Sequence, residues 1–412
     1  MGESVLGEVP SGWLVSTVGA VFKEFEGRIQ TGPFGSQLHA SDYVEVGIPT
    51  VMPANIGDNR IIEPGISRIR PEDVERLKRH KLQVGDIVFS RRGDVERRSL
   101  VRGHEVGWLC GTGCLLVRPP SGYVDSAFLA HWFGHPVIRA WLTQHAIGAT
   151  MLNINTEILS SVPLVLPHLN EQQAIAEVLG ALDDKIESNR RTIRTLDEFY
   201  MAECELALST SSENVSLGKV ASLSLGGTPS KENSSFWEGG DIPWINSGRL
   251  HEFPVLTPSD FITLDGLSKS ATKLIPKGST VVAITGATLG VVSRLAIDTA
   301  INQSIVAVEC RGNVVLNGFM LYALRANMAE LVSSATGAAQ QHVNKANFEE
   351  LVISIPAAEG DRLLQNIPDL LGKVDALAHE NVTLSLLRNT LLPELLSGRL
   401  RVKDAESMME NV

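Results

Sequence analysis

From residue 175 to residue 200, apolar side chains return at alternating intervals of three and four: Ile175, Leu179, Leu182, Ile186, Asn189, Ile193, Leu196 and Tyr200. This spacing keeps one side chain per turn on a single stripe and predicts a helix with a coiled-coil seam, broken once by Asn189. Asn170 with Gln173 has the form of a capping box, so the helix runs from about Asn170 to Leu208 and measures roughly 55–60 Å. A second stripe repeats the pattern through Leu370, Val374, Leu377, Asn381, Leu384, Arg388, Leu391 and Leu395. Pro368 suits a first-turn position, whereas Pro393 is expected to kink or end this helix before Leu395. A seam asparagine costs stability and fixes register, so two such seams favour pairing of the helices with each other. The pairing is antiparallel if both halves of the chain are built alike and related by a two-fold.

Outside the seams the pattern changes. Short apolar runs at Asp86–Ser90, Cys114–Val117, Ser279–Ile284 and Ser304–Val308 read as strands, and Ser126–His145 and Asn317–Ser334 as helices covering a sheet. Strands mixed with late helices indicate an α+β class. The polar stretch STSSEN (209–214) reads as a linker.

The whole is written twice. Gly32 and Ser36 match Gly226 and Ser230 at an offset of 194, as Ile48-Pro49 matches Ile242-Pro243. Gly85 and Gly93 match Gly278 and Gly286 at 193, and residues 146–167 align without gaps to 335–356 at 189. Five of those 22 positions are identical: Ala146, Gly148, Ala149, Asn155 and Pro167. The period is too long for a solenoid and indicates a duplicated half. The expected organisation is a globular domain over 1–152, a helical spacer region over 153–210, a second globular domain over 211–342 and a second helical region over 343–412.

Charge refines this picture. The net charge of −11 is uneven: residues 170–210 hold −5 and 357–412 hold −3, while the globular parts are nearly neutral. Residues 60–104 carry 12 Lys/Arg against 7 Asp/Glu. An acidic chain can thus still offer phosphate a basic face. No apolar run approaches the roughly 20 residues of a membrane span, and MGESVLGEVP lacks the form of a secretion signal, so a cytoplasmic address is expected. The four cysteines are too few and scattered for a disulfide scaffold and are expected to be reduced.

Taken in order, GPFGS (32–36), GIP (47–49), GDIVFSRRG (85–93), a helix, and Pro167–Ile175 with its EQxxI entry to a long helix, all in duplicate, resemble the specificity subunit of Type I restriction–modification enzymes. The resemblance covers nearly the whole chain. It implies two target-recognition domains, each reading half of a split site on double-stranded DNA, held apart by two helices that form an antiparallel coiled coil. It further implies that the helices dock two methylation (M) subunits and, through them, the motor-nuclease (R) subunits. S-adenosylmethionine, ATP and Mg are then expected on those partners, with no cofactor or metal here. The second half departs from the pattern after Pro356, where AAEGDRLLQNI replaces the EQ entry.

Several residues are candidates for DNA contact. Gln30–His39 reads as a tight loop in which glycines let backbone approach phosphate, with Ser36 and Gln37 able to donate or accept; Ser230 is the repeat counterpart of Ser36. Arg91 and Arg92 follow a strand immediately before Gly93, where an arginine pair suits bidentate contact to guanine or phosphate clamping. Their counterparts are Ile284 and Thr285, with Thr288 beyond. Arg97, Arg98, Arg68, Arg70, Lys78, Arg79 and Lys81 are phosphate-tracking charges at best. In the second half Asn246, Ser247 and Arg249 follow the repeated Ile-Pro and suit base edges, with Asn55 the counterpart of Arg249.

Signals for chemistry are weak by comparison. His131 and His135 stand four apart but lack a neighbouring Glu and a third ligand. Asp183-Asp184-Lys185 imitates a nuclease triplet but sits on the long helix. There is no NPPY-type tetrapeptide and no glycine-rich strand end for S-adenosylmethionine. The expectation is a binding subunit, ahead of a self-contained DNA enzyme or a coiled-coil scaffold for proteins alone.

Overall fold

The computed structural model describes residues 3–333, 343–357, 362 and 364–409. The chain forms two compact units, Met1–Lys185 with Leu384–Val412, and Ile186–Thr383. Both long helices are there: Leu169–Thr210, 42 residues, and Ile367–Leu396, 30 residues. Each contributes to both units. In the first unit Arg388 of the second helix bonds Asp183 of the first; in the second unit Asn189 donates to Glu380. Numbers rise along one helix as they fall along the other, which is antiparallel pairing. The seam is buried at Leu182, Ile186, Asn189, Ile193, Val374 and Leu384, and half-buried at Leu196, Leu370, Leu377 and Asn381. No helix among the described residues is long and apolar enough to cross a membrane.

In the first unit an antiparallel sheet has the order Arg28–Thr31, Cys114–Arg118, Ile87–Ser90, Arg98–Leu100. A second sheet, ordered Leu109–Cys110, Ile48–Val51, Ser67–Ile69, Tyr43–Val44, contains one parallel pair, its first two strands. The second unit repeats the order of the first sheet, and in its other sheet the parallel pair lies in the middle rather than at the edge. Its first sheet runs Ser222–Leu225, Ile305–Glu309, Thr280–Ala283, Val292–Arg294, and its other sheet again has one parallel pair, Ile242–Ile245 with Thr299–Ile301. The repeated Asn155 and Asn344 do the same work: each caps the helix that follows, accepting from the N–H of Ile158 and Asn347. Residues 335–342 of the repeat lie outside the described residues.

Three sequence expectations need correction. The stretch STSSEN is no linker: Ser209 and Thr210 finish the helix, and Ser212–Ser216 is a strand antiparallel to Val352–Pro356. Its first three residues are solvent-exposed, so the stretch reads as polar and hides its strand character. Ser126–His145 is two helices, Ser126–Gly134 and Pro136–His145; proline supplies no N–H to continue the first, and His135 Nδ1 caps the second. Pro393 does not stop the second long helix before Leu395. The helix runs to Leu396 because Leu391, Leu392, Leu395 and Leu396 are buried, and it ends at Gly398, whose φ of 72° closes the last turn.

The ribbon Leu14–Thr17 with Pro163–Leu166 leads into the first long helix, and the EQ entry fastens it. Glu171 Oε2 accepts from the Trp13 indole at 3.0 Å. Gln172, 1% exposed, accepts from Asp125 N–H at 2.8 Å and donates to the carbonyls of Tyr123 and Pro167 at 3.2 and 2.9 Å. In the second unit the same helix enters the core directly: Tyr200, Cys204 and Ala207 pack with Phe319, Leu324, Ile367 and Leu371. All four cysteines are free and buried.

Gln172→Ala removes the partner of one backbone donor and two backbone acceptors, of which the Pro167 carbonyl bond is fully buried. We expect a loss of about 1–3 kcal/mol, read as an earlier unfolding midpoint in denaturant with an unchanged slope. A second expectation concerns acid. His80, His131 and His135 are buried in the first unit, and desolvation pulls each imidazole down to about 4. Unfolded, they titrate near 6.5, so below that pH the unfolded chain binds more protons and stability falls until about pH 4. Unfolding in denaturant at pH 7 and pH 5 is expected to differ by on the order of 5 kcal/mol, with His131→Gln reducing the difference.

Candidate nucleic-acid interface

Strand register gathers the candidate loops. In the first unit Cys114–Arg118 lies between two antiparallel neighbours, with Leu115 opposite Thr31 and Cys114 opposite Ser90. The chain therefore leaves Thr31 and Ser90 at the one end where Cys114 enters. In the other sheet Leu109 and Cys110 run parallel to Thr50 and Val51, so the segments after Val51 and after Cys110 also leave together. Residues 32–39, 52–55, 91–97 and 111–113 thus meet at one end. Backbone bonds hold them: Gly32 N–H to Cys114 O, Gly111 N–H to Val51 O and Arg91 N–H to Gly113 O, each 2.9 Å.

The second unit does the same with residues 226–235, 246–251, 284–290 and 302–304. Leu225 and Ala283 stand opposite Val306 and Ile305, and Ile245 runs parallel to Ile301. Gly227 N–H bonds Ile301 O at 2.9 Å, Asn302 N–H bonds Ile245 O at 3.1 Å and Ile284 N–H bonds Ser304 O at 2.9 Å. Asn302–Ser304 and Gly111–Gly113 escaped the sequence reading. The signal was available, since Cys114 and Ile305 open equivalent strands at an offset of 191, inside the drift of the other matches.

The repeated glycine has a different role from the one expected. A Cβ on Gly32 would stand 2.1 Å from Gly111 O, and one on Gly226 2.0 Å from Ile301 O. These glycines let two backbones touch inside each unit. Gly35, by contrast, faces open space. Ser36 and Ser230 are exposed at the loop ends. Gln37 is partly occupied, its Oε1 accepting from Phe34 N–H at 3.2 Å.

Arg91 and Arg92 sit at the gathered end; Arg92 is exposed, while Arg91 is half-buried with an Nε that has no hydrogen-bond partner. Arg92 also pairs through its backbone with Asn153, which docks the hairpin 147–153 beside it. Arg98 must be removed from the candidates. It is 4% exposed, bonded to Asp58 at 2.6 Å and to Ala130 O at 3.0 Å. Asn55 must be removed too: it is buried, accepts from Met52 N–H at 3.0 Å and donates to Ile62 O at 3.2 Å, closing the turn that follows Val51. Arg249 occupies the equivalent turn but is half-exposed and paired with Glu252 at 2.7 Å. Asn246 is exposed, though its Oδ1 caps Gly248 N–H at 3.0 Å; Ser247 is half-buried beside it. Thr285 and Thr288 lie on the third loop, joined by a 3.3 Å bond from Thr288 Oγ1 to Thr285 O.

Much of the basic excess of 60–104 is spent internally. Arg68 pairs with Glu63, Arg70 and Arg76 with Asp73, and Arg97 with Asp94. Lys78, Arg79, Lys81 and Arg92 remain exposed. Asp183 of the nuclease-like triplet is committed to Arg388 at 2.7 Å and Asn59 at 3.0 Å. Burial works against its ionisation, but His131, Arg388 and these bonds outweigh it and hold the carboxyl low. Among the described residues there is no cluster of His, Cys, Asp and Glu able to hold a metal.

Two α+β units with one loop architecture on a shared pair of helices define a duplicated recognition protein. The family described as the Type I restriction modification DNA specificity domain matches residues 10–198 and 210–382. The chain belongs to that family. It is 22% identical, over 97% of its length and 96% of the relative's, to a putative Type I restriction enzyme specificity subunit, MjaX, of Methanocaldococcus jannaschii. It is 27% identical to the EcoR124I/EcoR124II specificity subunit of Escherichia coli, over 40% of this chain and 41% of that one. In fold it is similar to the crystal structure of a Type I restriction–modification S subunit from M. genitalium, with a TM-score of 0.57 at 16% identity over 95% of this chain and 98% of that one.

Proposed function

We propose that this chain is the DNA-reading, non-catalytic subunit of a Type I restriction–modification complex in the cytoplasm. Each unit reads one half of a split duplex site through its gathered loops, and the long helices dock two methylation subunits, with motor-nuclease subunits joined through them. One observation carries the reading: two units bring the same four strand-to-strand segments to one end, and fill them with different side chains. The first offers Arg92 and Arg91, suited to the O6 and N7 of guanine or to phosphate. The second offers Asn246, Ser247, Thr285 and Thr288, suited to base edges, with its cations Lys231 and Arg249 already paired to Asp260 and Glu252. Two different half-sites follow.

Charge supports the division of labour. The helical segments hold most of the net −11, which suits protein docking and repels phosphate. S-adenosylmethionine, ATP and Mg belong on the partner subunits in this reading.

Mapping methylated adenines in cells with and without the gene tests it; a split motif that vanishes on deletion is the expected result. Arg91→Ala combined with Arg92→Ala should abolish modification while the subunits still co-purify. Unchanged modification removes both arginines from the reading surface.

A further inference from the structure

In the first unit the second gathered loop does not end at the turn that Asn55 closes. It continues into a hairpin, with Ile62 N–H on Asn55 O at 2.7 Å at its base and Gly57 N–H on Arg60 O at 2.9 Å at its tip. That tip reaches both long helices. Arg388 forks, its Nη2 donating to Asp58 Oδ2 at 3.0 Å and its Nη1 to Asp183 Oδ1 at 2.7 Å. Asn59 Nδ2 donates to the other oxygen of Asp183 at 3.0 Å. Arg98 Nη1 completes the cluster on Asp58 Oδ1 at 2.6 Å and ties it to the sheet. Two carboxylates face two guanidiniums, so the cluster is balanced, and side-chain exposures of 8% for Asp183 and 15% for Arg388 keep its centre from water. Asp58, at 55%, closes its outer edge.

We propose that Asp58 and Arg388 are positioning residues that latch the second gathered loop of the first unit to the helix pair, so that the helices set the angle at which this head meets its half-site. The proposal rests on the reading of the chain as a two-headed DNA specificity subunit. A rigidly held head accepts its half-site at only one phase of the duplex. Duplex phase turns by roughly a tenth of a turn per base pair, so a site lengthened or shortened by one pair is misaligned. Freeing the latch lets the head swivel to meet it. The planar fork is essential, because an ammonium cannot bond both carboxylates in the same geometry.

The test uses the full complex with its methylation subunits and duplexes carrying the native gap between half-sites or one base pair more or less. In Asp58→Ala, Arg98 keeps its bond to Ala130 O and Arg388 keeps Asp183, so the fold should survive; the complex's melting temperature checks this. The ratio of methylation on the native gap to that on the altered gaps is expected to fall by about tenfold, the size of coupling seen between neighbouring charged groups. Arg388→Lys should behave alike, and Asp58→Glu should restore part of the ratio. An equal loss at every gap, with or without a lower melting temperature, or an unchanged ratio, overturns the latch. If the wild-type complex itself shows no preference for a split site, the underlying functional reading fails instead.

Discussion

Everything at the candidate interface depends on two backbones being allowed to touch. In each unit the segment leaving the first strand of the all-antiparallel sheet crosses the chain that links the two sheets, and it does so at a glycine. Any side chain at Gly32 or Gly226 would lie near 2 Å from a carbonyl oxygen, well inside any tolerated contact. Without that crossing, the loop after the first strand could not fold back toward the loops that leave the parallel pair, and the gathered end would open. A glycine repeated at an offset of 194 is therefore a constraint on architecture, met twice because the architecture is built twice.

The sequence disclosed what obeys a period or a copy. Both seams are legible because helix burial repeats every three or four residues, and the strands at Ile87–Ser90 and Ile305–Glu309 because full burial makes unbroken apolar runs. The strand Ser212–Ser216 was not legible, since three of its five positions face water and carry polar residues. At the candidate interface, the sequence singles out loops that the fold gathers at one end, but not which of their side chains the fold already uses. Arg98 and Arg92 look alike in a basic run. Only the fold reveals that one is buried against Asp58 and Ala130 O, on strand Arg98–Leu100 rather than in the loop. Asn55 shows a related limit: a short polar residue after a strand closes a turn as readily as it reads a base.

Charge shows the same limit. Twelve basic residues between 60 and 104 look like a binding face, yet Arg68, Arg70, Arg76, Arg97 and Arg98 are paired with carboxylates. Pairs at the surface are worth little to stability, but each one lowers the charge presented to a phosphate. What stays outward without a carboxylate partner is Lys78, Arg79, Lys81 and Arg92. A chain of net charge −11 can bind DNA only through such local exceptions, which makes the binding dependent on geometry as much as on total charge.

The frame and the readers can be separated by asking what each side chain already does. Backbone bonds at Gly32, Gly111 and Arg91, and at Gly227, Ile284 and Asn302, hold the four segments together, with side-chain bonds such as Thr228 Oγ1 to Gln303 Oε1 added to them. Side chains that complete the frame, such as Asn55 and Gln172, cannot change without leaving buried groups unpaired, at a cost of about 1–3 kcal/mol. Asn246 is intermediate, because it caps a turn and is exposed; losing a cap costs on the order of 1 kcal/mol. Ser36, Arg92 and Ser230 are exposed at the gathered ends. Substituting them leaves the strand register untouched, so these positions are free to differ between the two units. On the proposed reading of two unlike half-sites, one repeated scaffold needs this arrangement, with constancy held in the backbone and variation carried by side chains that the fold does not require.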